Sequence, residues 1–218
     1  VDHANNTVDD AAKHWMLTEN FRNGNPMDHS NTTLDEFRYQ QRGYAKYGDI
    51  ARLFGWQALK NFFKQENLDY NDRTPTCFNE NCLFSYSDGL AQRDSRIFRL
   101  SKAADADLTP LIHFWGVHPD NSIALAQAIT AAGLDNSTIS AIVRDKLVYY
   151  AGIAPTNNAQ FNTHFETVFP GRPSDCASPN YGCGWYNVWR DKFNESHGTQ
   201  IKTRIQSLLT QYFPGTNL

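Results

Sequence analysis

The sequence lacks two features that would indicate a nucleic acid or a membrane as its partner. Its 20 Lys and Arg residues are outnumbered by 23 Asp and Glu residues, which gives a formal net charge of −3. Without an excess of positive charge the chain has little long-range attraction for phosphates, so we expect no nucleic-acid partner. Its apolar runs, such as residues 147–153, are far shorter than the ~20 residues of a membrane-spanning helix, so we expect no membrane span.

Familiar catalytic motifs are absent as well. The sequence contains no His-Glu-x-x-His run, no Gly-x-Ser-x-Gly elbow and no glycine-rich phosphate loop, so we expect no catalytic residue in this chain. His113 and His118 come nearest to a metal-binding pair, but five positions on a helix turn two rings ~500° apart, and Gly116 lies between them. We interpret them as histidines at a helix end, with a metal site as the less favoured alternative. His14 and His164 are interpreted as isolated histidines.

The cysteines are few, and their pattern bears on location. They form two close pairs, Cys77 with Cys82 and Cys176 with Cys183, in stretches rich in Asn, Pro, Gly and Ser that are typical of loops. Although three pairings are possible, we predict two local disulfide-closed loops, which indicate a secreted, periplasmic or cell-surface protein. A four-cysteine zinc site is the alternative. Zinc knuckles usually separate their ligands by two to four residues, whereas four and six residues separate them here.

Apolar residues recur at the three-and-four spacing of helices along nearly the whole chain, and no alternating strand of comparable quality occurs. We predict an all-α fold, a bundle of eight to ten helices in a single domain over residues 1–218, with a possible internal boundary near 152–159. Thr7 is the expected cap of a first helix at 8–16. A second helix from about Thr33 is interrupted at Gly55, and Asn136 or Ser137 caps a long helix to Tyr150. Further helical stripes lie at 97–104, 108–115, 123–132, 161–169, 185–189 and 201–212.

Charged residues at helix starts are interpreted first as caps. Asp94 or Ser95, in the run QRDSR, is the predicted cap of the helix that contains Ile97. Glu19 or Glu36 could supply the acid of a lysozyme-like glycosidase, although carboxylates at helix starts are usually solvated. A self-sufficient helical muramidase is therefore one alternative class.

Two blocks of the sequence, in order, resemble one family. The first is RGYAKYGDIARLFGWQALKNFF (residues 42–63), with Phe-Gly-Trp at a helix end, and the second is RIFRLSKAADADLTPLIHFWG (residues 96–116). They are similar to the enhancin-like, mucin-degrading zinc metallopeptidases, in which Phe-Gly-Trp precedes a Ser-x-x-x-Gly/Ala-x-Asp-Leu stretch that closes on Phe-x-x-Trp-Gly. Each block alone is degenerate, whereas the ordered pair is more specific. The matching residues are Phe54, Gly55, Trp56, Ala58, Ser101, Asp107, Leu108, Trp115 and Gly116.

The resemblance implies a gluzincin-type peptidase whose catalytic helix carries His-Glu-x-x-His, with a downstream Glu as the third zinc ligand. Since this chain lacks those histidines, zinc and the general base would lie upstream of Val1. The Glu would lie just before Asn5-Asn6, with Glu19 as a weak candidate within the chain. The chain would then be the helical C-terminal subdomain, inactive alone, which supports the catalytic helix and forms one wall of a cleft for a glycoprotein or peptide. The candidate substrate-side residues are Arg42, Tyr44, Arg93 and Arg96.

A secreted helical module that binds a glycoprotein or peptide without catalysis is the main alternative. The aromatic residues, 5 Trp, 10 Tyr and 14 Phe, exceed what a lean core needs, and some could line a sugar or peptide cleft. Packing in the core is their default role. Because the chain begins at Val1 without a methionine or a leader, we also expect a processed product or a piece of a longer protein.

Overall fold

The computed structural model describes residues 8–27, 39–71, 88–168, 194 and 196–218, without the side chains of 39–43, 69–71 and 165–168. These residues form ten helices and no strand, which confirms the predicted all-α class for this part of the chain. None of the helices in these ranges is both long and apolar enough to cross a membrane. The helices are α1 (Val8–Leu17), α2 (Glu19–Asn23), α3 (Tyr39–Phe54), α4 (Trp56–Asn71), α5 (Gln92–Ala104), α6 (Thr109–Phe114), α7 (Ser122–Ala131), α8 (Ser137–Ile153), α9 (Asn158–Val168) and α10 (Ser196–Tyr212).

Several predicted features lie outside the described residues. They include all four cysteines, Cys77, Cys82, Cys176 and Cys183, and therefore the two predicted disulfide loops. The expected cap Thr7, the start of the helix predicted near Thr33 and the apolar stripe at 185–189 lie outside them too. These expectations stay predictions.

Helix boundaries within the described residues follow local chemistry. Gly55 has a φ of 82° and separates α3 from α4, as the sequence predicts. The side-chain oxygen of Asn136 accepts the N–H of Thr138 at 2.9 Å, so the predicted cap of α8 is confirmed. This helix continues through Gly152 to Ile153, which places the first residues of the suggested boundary at 152–159 inside a helix.

The chain divides into two compact units, and the described residues of the first fall within 1–46, 114–116 and 145–218. In this unit α2 packs on α1 and on α10. Its core is rich in aromatic rings: Phe114 stacks on Tyr150 with 4.6 Å between ring centroids, and Phe21 meets both Trp15 and Phe114 edge-on. Buried aliphatic residues of α10 complete this core, namely Ile201, Ile205, Leu208 and Leu209. Pairs of rings at these distances add specific attraction to the burial of apolar surface.

The second unit comprises residues 47–113 and 117–144. In it α5 packs against α4 and against α7. Its buried apolar residues recur at helical spacing on each of these elements, so the amphipathic pattern of the sequence corresponds to one core. They include Ile50, Phe62, Ile97, Leu100, Leu111, Leu125 and Ile129.

Two glycines of the first unit predict opposite responses to alanine. At Gly198 in α10, a Cβ would lie 2.6 Å from the Cα of Thr156, so we expect Gly198→Ala to lower the free energy of unfolding by about 1–3 kcal/mol. At Gly152 in α8, nothing lies within 4 Å of an added Cβ. We expect Gly152→Ala to stabilise the protein by about 0.5 kcal/mol because alanine is the better helix former. Urea denaturation of both variants tests this. Changes of the same sign in the free energy of unfolding would contradict the close contact of Gly198 with Thr156.

Candidate functional site

Polar residues singled out in the sequence lie at the start of α5, in the second unit. Nη1 of Arg93 forms an ion pair with Oδ1 of Asp120 at 2.7 Å and donates to the carbonyl of His118 at 3.3 Å. Since about half of the Arg93 side chain is exposed, the ion pair itself adds little stability. Its role is geometric, because it ties α5 to the segment at 117–121.

Asp94 is the buried anchor of the same segment. Its side chain lies on the first turn of α5 with no exposed surface, and its two oxygens accept the N–H groups of Asp120 and Asn121 at 2.8 and 2.7 Å. Asn121 in turn caps α7 by accepting the N–H of Ala124. The prediction of Asp94 or Ser95 as the cap of α5 is wrong, because that cap position is Ala91, without a side-chain hydrogen bond. Asp94 satisfies the backbone of a different segment.

Arg96 lies one turn after Arg93 and contacts aromatic side chains. Its Nη2 donates to the hydroxyl of Tyr47 at 3.2 Å, and its guanidinium carbon lies 5.9 Å from the centre of the Phe62 ring. This spacing is at the outer limit of a cation–π contact. The structure thus brings Arg93 and Arg96 to one end of α5 and gives each a defined partner.

The other two candidate substrate-side residues are on α3. The side chain of Arg42 lies outside the described residues. Tyr44 belongs to the first unit and exposes 65% of its surface. An exposed phenol can stack on a ligand and hydrogen-bond to it. The substrate-side role of Tyr44 therefore stays a prediction.

His113 and His118 meet despite their unfavourable helical spacing. His113 lies in the last turn of α6, as predicted, and its ring centroid is 4.3 Å from that of His118, edge to face. The helix ends because the N–H of Val117 bonds back to the carbonyl of Ile112 and Gly116 adopts a φ of 78°. The chain therefore reverses between the two histidines, which the helical-wheel estimate could not include. We call Arg93, Asp94, His113, His118 and Asp120 the α5 cluster.

The α5 cluster presents Arg93, Asp120 and His118 at the surface, whereas Asp94 and His113 are buried. It contains no serine or cysteine nucleophile. Within the described ranges no group of three or more His, Cys, Asp or Glu residues could hold a metal ion. The weak metal candidate Glu19 is exposed in the first turn of α2 and accepts a hydrogen bond from Asn23. Glu36 lies outside the described residues.

A second cluster of titratable groups, missed by the sequence analysis, lies in the first unit. The rings of His14 on α1 and His164 on α9 lie edge to face, 4.8 Å apart, and both side chains are buried. Nδ1 of His164 is 3.8 Å from Oδ1 of Asp10, which is also 3.8 Å from Nζ of Lys13. The only available signal was that His164 lies one turn after Phe161 on the apolar stripe of α9.

We expect this cluster to make stability depend on pH. Burial, aided by Lys13 and opposed by Asp10, lowers the pKa of His164 from 6.5 to about 4. The unfolded chain therefore binds a proton between these values that the folded chain does not, so stability is highest above pH 6.5 and falls as the pH drops towards 4. The expected loss is about 2–3 kcal/mol.

Urea denaturation between pH 7 and pH 4 measures this loss. His164→Leu should flatten the profile across that window, whereas Phe161→Leu, a core change on the same face of α9, should lower stability and keep the slope. Parallel profiles for the wild type and His164→Leu would contradict the assignment.

Comparison with models of known protein families, with curated proteins and with solved structures gives no significant match.

Proposed function

We propose that this chain is the helical C-terminal part of a secreted zinc metallopeptidase of the enhancin-like type, which acts on glycoproteins. In this proposal an upstream part of the same polypeptide supplies the catalytic helix, the zinc and the general base, and the chain described here supports that helix and forms one wall of the cleft. One observation carries the proposal: the residues shared with the family occupy the chain reversals that shape the helices, where particular residue types are required.

The first block forms the corner between α3 and α4. Gly55 has a φ of 82°, a conformation that favours glycine, and its N–H donates to the carbonyl of Ala51 at 3.0 Å. Ala58 is buried in the first turn of α4, and its N–H donates to the Gly55 carbonyl. Trp56, directly after the corner, exposes 68% of its surface. A Phe-Gly-Trp sequence thus serves as a helix stop and start.

The second block forms the turn between α5 and α6. The hydroxyl of Ser101 accepts the N–H of Leu108 at 3.0 Å, and Oδ1 of Asp107 accepts the N–H of Thr109 at 2.8 Å in a turn that leads into α6. Burial raises the pKa of Asp107, and the hydrogen bonds from Thr109 oppose that effect. Asp105, where the family pattern has Gly or Ala, has a φ of 54°. Glycine is favoured in that conformation and alanine is not, so Asp105 is a departure from the family pattern.

The proposal leaves zinc chemistry to the upstream part. Bound zinc would activate the water that attacks the peptide bond. The described residues do not fit a zinc site, since no group of three or more His, Cys, Asp or Glu residues that could hold a metal ion occurs among them. What this chain contributes is a fixed polar surface, in which Asp94 and Asp120 hold Arg93 and its segment in place.

The proposal is tested by activity measurements on two proteins. One is the longer polypeptide that includes the proposed upstream part, which we call the parent protein, and the other is the 218-residue chain alone. We expect the parent, with its upstream segment, to cleave an O-glycosylated peptide, to hold zinc and to lose activity with a chelator. We expect the chain alone neither to cleave the peptide nor to hold zinc. An upstream sequence without His-Glu-x-x-His, or a chain alone that cleaves the peptide with stoichiometric zinc, would overturn it.

The α5 arginines allow a finer test in the parent protein. Loss of one substrate hydrogen bond in Arg93→Ala or Arg96→Ala should raise KM about 3- to 10-fold and leave kcat nearly unchanged. Lys102→Ala removes a charge from the same helix and is the matched control; its ammonium lies 5.6 Å from the Phe98 ring. Equal effects from all three variants would contradict a substrate-side role for the arginines.

A binding module without catalysis is the second candidate, favoured by the outer face of α4. Trp56 and Phe63, two turns apart, expose 68% and 51% of their surfaces, and the amides of Gln57 and Asn61 hydrogen-bond beside them at 2.7 Å. A mucin pull-down that succeeds with the wild-type chain and with Leu68→Ala but fails with Trp56→Ala would favour this candidate. Failure of the wild-type chain to bind would count against it.

A further inference from the structure

A cleft of about 520 Å³ lies in the first unit between the end of α2 and the N-terminal half of α10. Gly24 and Arg204 are among the residues that line it. A Cβ at Gly24 would lie only 3.2 Å from Cζ of Arg204, so the guanidinium packs directly on the helix end. Gly24, with a φ of 73°, leaves the space in which that side chain lies.

Two arginines give the cleft its charge. Nη1 of Arg22 donates to Oε1 of Gln200 at 2.9 Å, which fixes the Arg22 side chain across the cleft from α10. Arg204 is partly buried, and this burial lowers the pKa of its guanidinium, against an opposing effect of Tyr212. A charge at such a partly desolvated position interacts more strongly with an anion than a charge in open water does.

The described residues that line the cleft beside these arginines carry no negative side chain. None of the cleft residues in the described part of the chain is acidic, and the 17 residues of α10 include no Asp or Glu. Glu19, the acidic residue of α2, does not line the cleft. The described lining of the cleft therefore carries positive charge, in a chain whose net charge is −3.

Neutral polar groups extend the cleft along α10. Its walls carry the hydroxyls of Ser196, Thr199, Thr203 and Ser207. Thr203 and Ser207 also line a second cavity of about 610 Å³, so the two cavities adjoin along α10, and together we call them the groove. Gln206 lines this second part and holds the C-terminal residues through a bond to the Thr216 carbonyl at 2.8 Å. Hydroxyls and amides both donate and accept hydrogen bonds, as sugar hydroxyls do.

We propose that this groove binds an acidic sugar, with Arg22 and Arg204 on its carboxylate or sulfate group and the hydroxyls of α10 on its ring. Guanidinium groups form paired, charge-assisted hydrogen bonds with such oxyanions. A cavity of about 520 Å³ is within the range of small-ligand sites and far larger than one inorganic anion needs. The inference deepens the proposed function and rests on it for the source of the ligand, namely the acidic glycans of a glycoprotein substrate.

Ligand titration of the full 218-residue chain, followed by calorimetry and by amide NMR, tests this inference. The probes are N-acetylneuraminic acid, glucose 6-sulfate, neutral galactose, inorganic sulfate and inorganic phosphate. We expect the two acidic sugars to bind and to shift the amide resonances of Arg22, Gln200 and Thr203. Galactose, which lacks the acidic group, and the two inorganic anions, which lack the sugar ring, should bind at least about 10-fold more weakly. Equal binding of inorganic anions, equal binding of galactose, or no binding of the acidic sugars would each overturn the inference.

Variants assign the binding to the groove. Arg22→Gln and Arg204→Gln should each weaken the acidic sugars about 10-fold or more, the effect of losing a charged hydrogen bond. Thr203→Val tests the ring contact without touching the charge, and remains informative if Arg204→Gln fails to fold. Lys60→Gln, an exposed lysine of α4, removes the same charge elsewhere and should leave affinity unchanged. Loss of affinity in Lys60→Gln equal to that in Arg22→Gln would overturn the site.

This experiment is independent of proteolysis. If the sugars fail to bind while the parent protein cleaves glycopeptides, the inference is wrong and the proposed function stands. If the sugars bind and the parent neither holds zinc nor cleaves, the groove is right and the peptidase proposal is wrong.

Discussion

Replacement of Gly116 by alanine is expected to lower the free energy of unfolding by about 3–5 kcal/mol. Gly116 has a φ of 78°, where any side chain is strained. A Cβ there would also lie 2.7 Å from the backbone nitrogen of Met27 and 2.7 Å from the Trp15 ring. Neither can move away easily, because the Met27 N–H donates to the Gly116 carbonyl at 2.9 Å and the Trp15 indole donates to the carbonyl of Phe114.

Gly133 provides the matched control for this prediction. Its φ of 69° carries the same conformational strain, but nothing lies within 4 Å of an added Cβ. Gly133→Ala should therefore cost only about 1–2 kcal/mol. Urea denaturation of both variants separates strain from packing, and equal losses would show that the contact of Gly116 with Met27 and Trp15 is not tight.

The sequence predicts most helices of the described residues, because helix signals are local, although the short α2 (Glu19–Asn23) was not among the predicted helices. A stop at Gly116 and a cap at Asn136 both follow from neighbouring residues, and the structure has a helix end and a helix start at these positions. The contact of Gly116 with Met27 is different, since it joins residues 89 positions apart. The spacing of apolar residues around Gly116 or around Met27 does not predict that contact. It depends on how the helices pack.

The candidate site was predictable only in part for the same reason. Arg93 and Arg96 are three residues apart, so their common place on α5 follows from the helix itself. Their partners Asp120 and Tyr47 come from distant segments. The cleft between α2 and α10 likewise pairs Arg22 with Gln200, 178 residues later. Side-chain types suggested where polar groups occur, whereas tertiary packing decided which of them meet.

The histidines show how a local rule fails at a chain reversal. A helical wheel separates His113 from His118, yet their rings lie 4.3 Å apart because the helix ends between them. His14 and His164 have no sequence relation, and the packing of their helices brings the rings together at 4.8 Å. Burial of this second pair matters for stability below pH 6.5, so the long-range contact also carries a pH response that sequence reasoning missed.

Replacement of Asp94 by alanine is expected to destabilise the protein by about 3–5 kcal/mol, because the truncation removes the buried carboxylate that two backbone N–H groups use as their charged acceptor. Those groups, on Asp120 and Asn121, precede α7, so the loss should also loosen the start of that helix. Asp94→Asn keeps one acceptor oxygen and should cost about half as much. Hydrogen exchange supplies a local measurement: the amides of residues 120 and 121 should exchange faster in Asp94→Ala, beyond the change expected from global stability.

Asp120→Ala is the matched control, since it removes a carboxylate from the same cluster. Its ion pair with Arg93 is 2.7 Å long but largely solvated, with side chains 51% and 40% exposed, so we expect a loss below about 1 kcal/mol. If Asp120→Ala costs as much as Asp94→Ala, the exposed ion pair and not the buried carboxylate fixes the segment at 117–121. In that case Arg93 would be a structural residue, and its proposed place on the substrate side would be wrong.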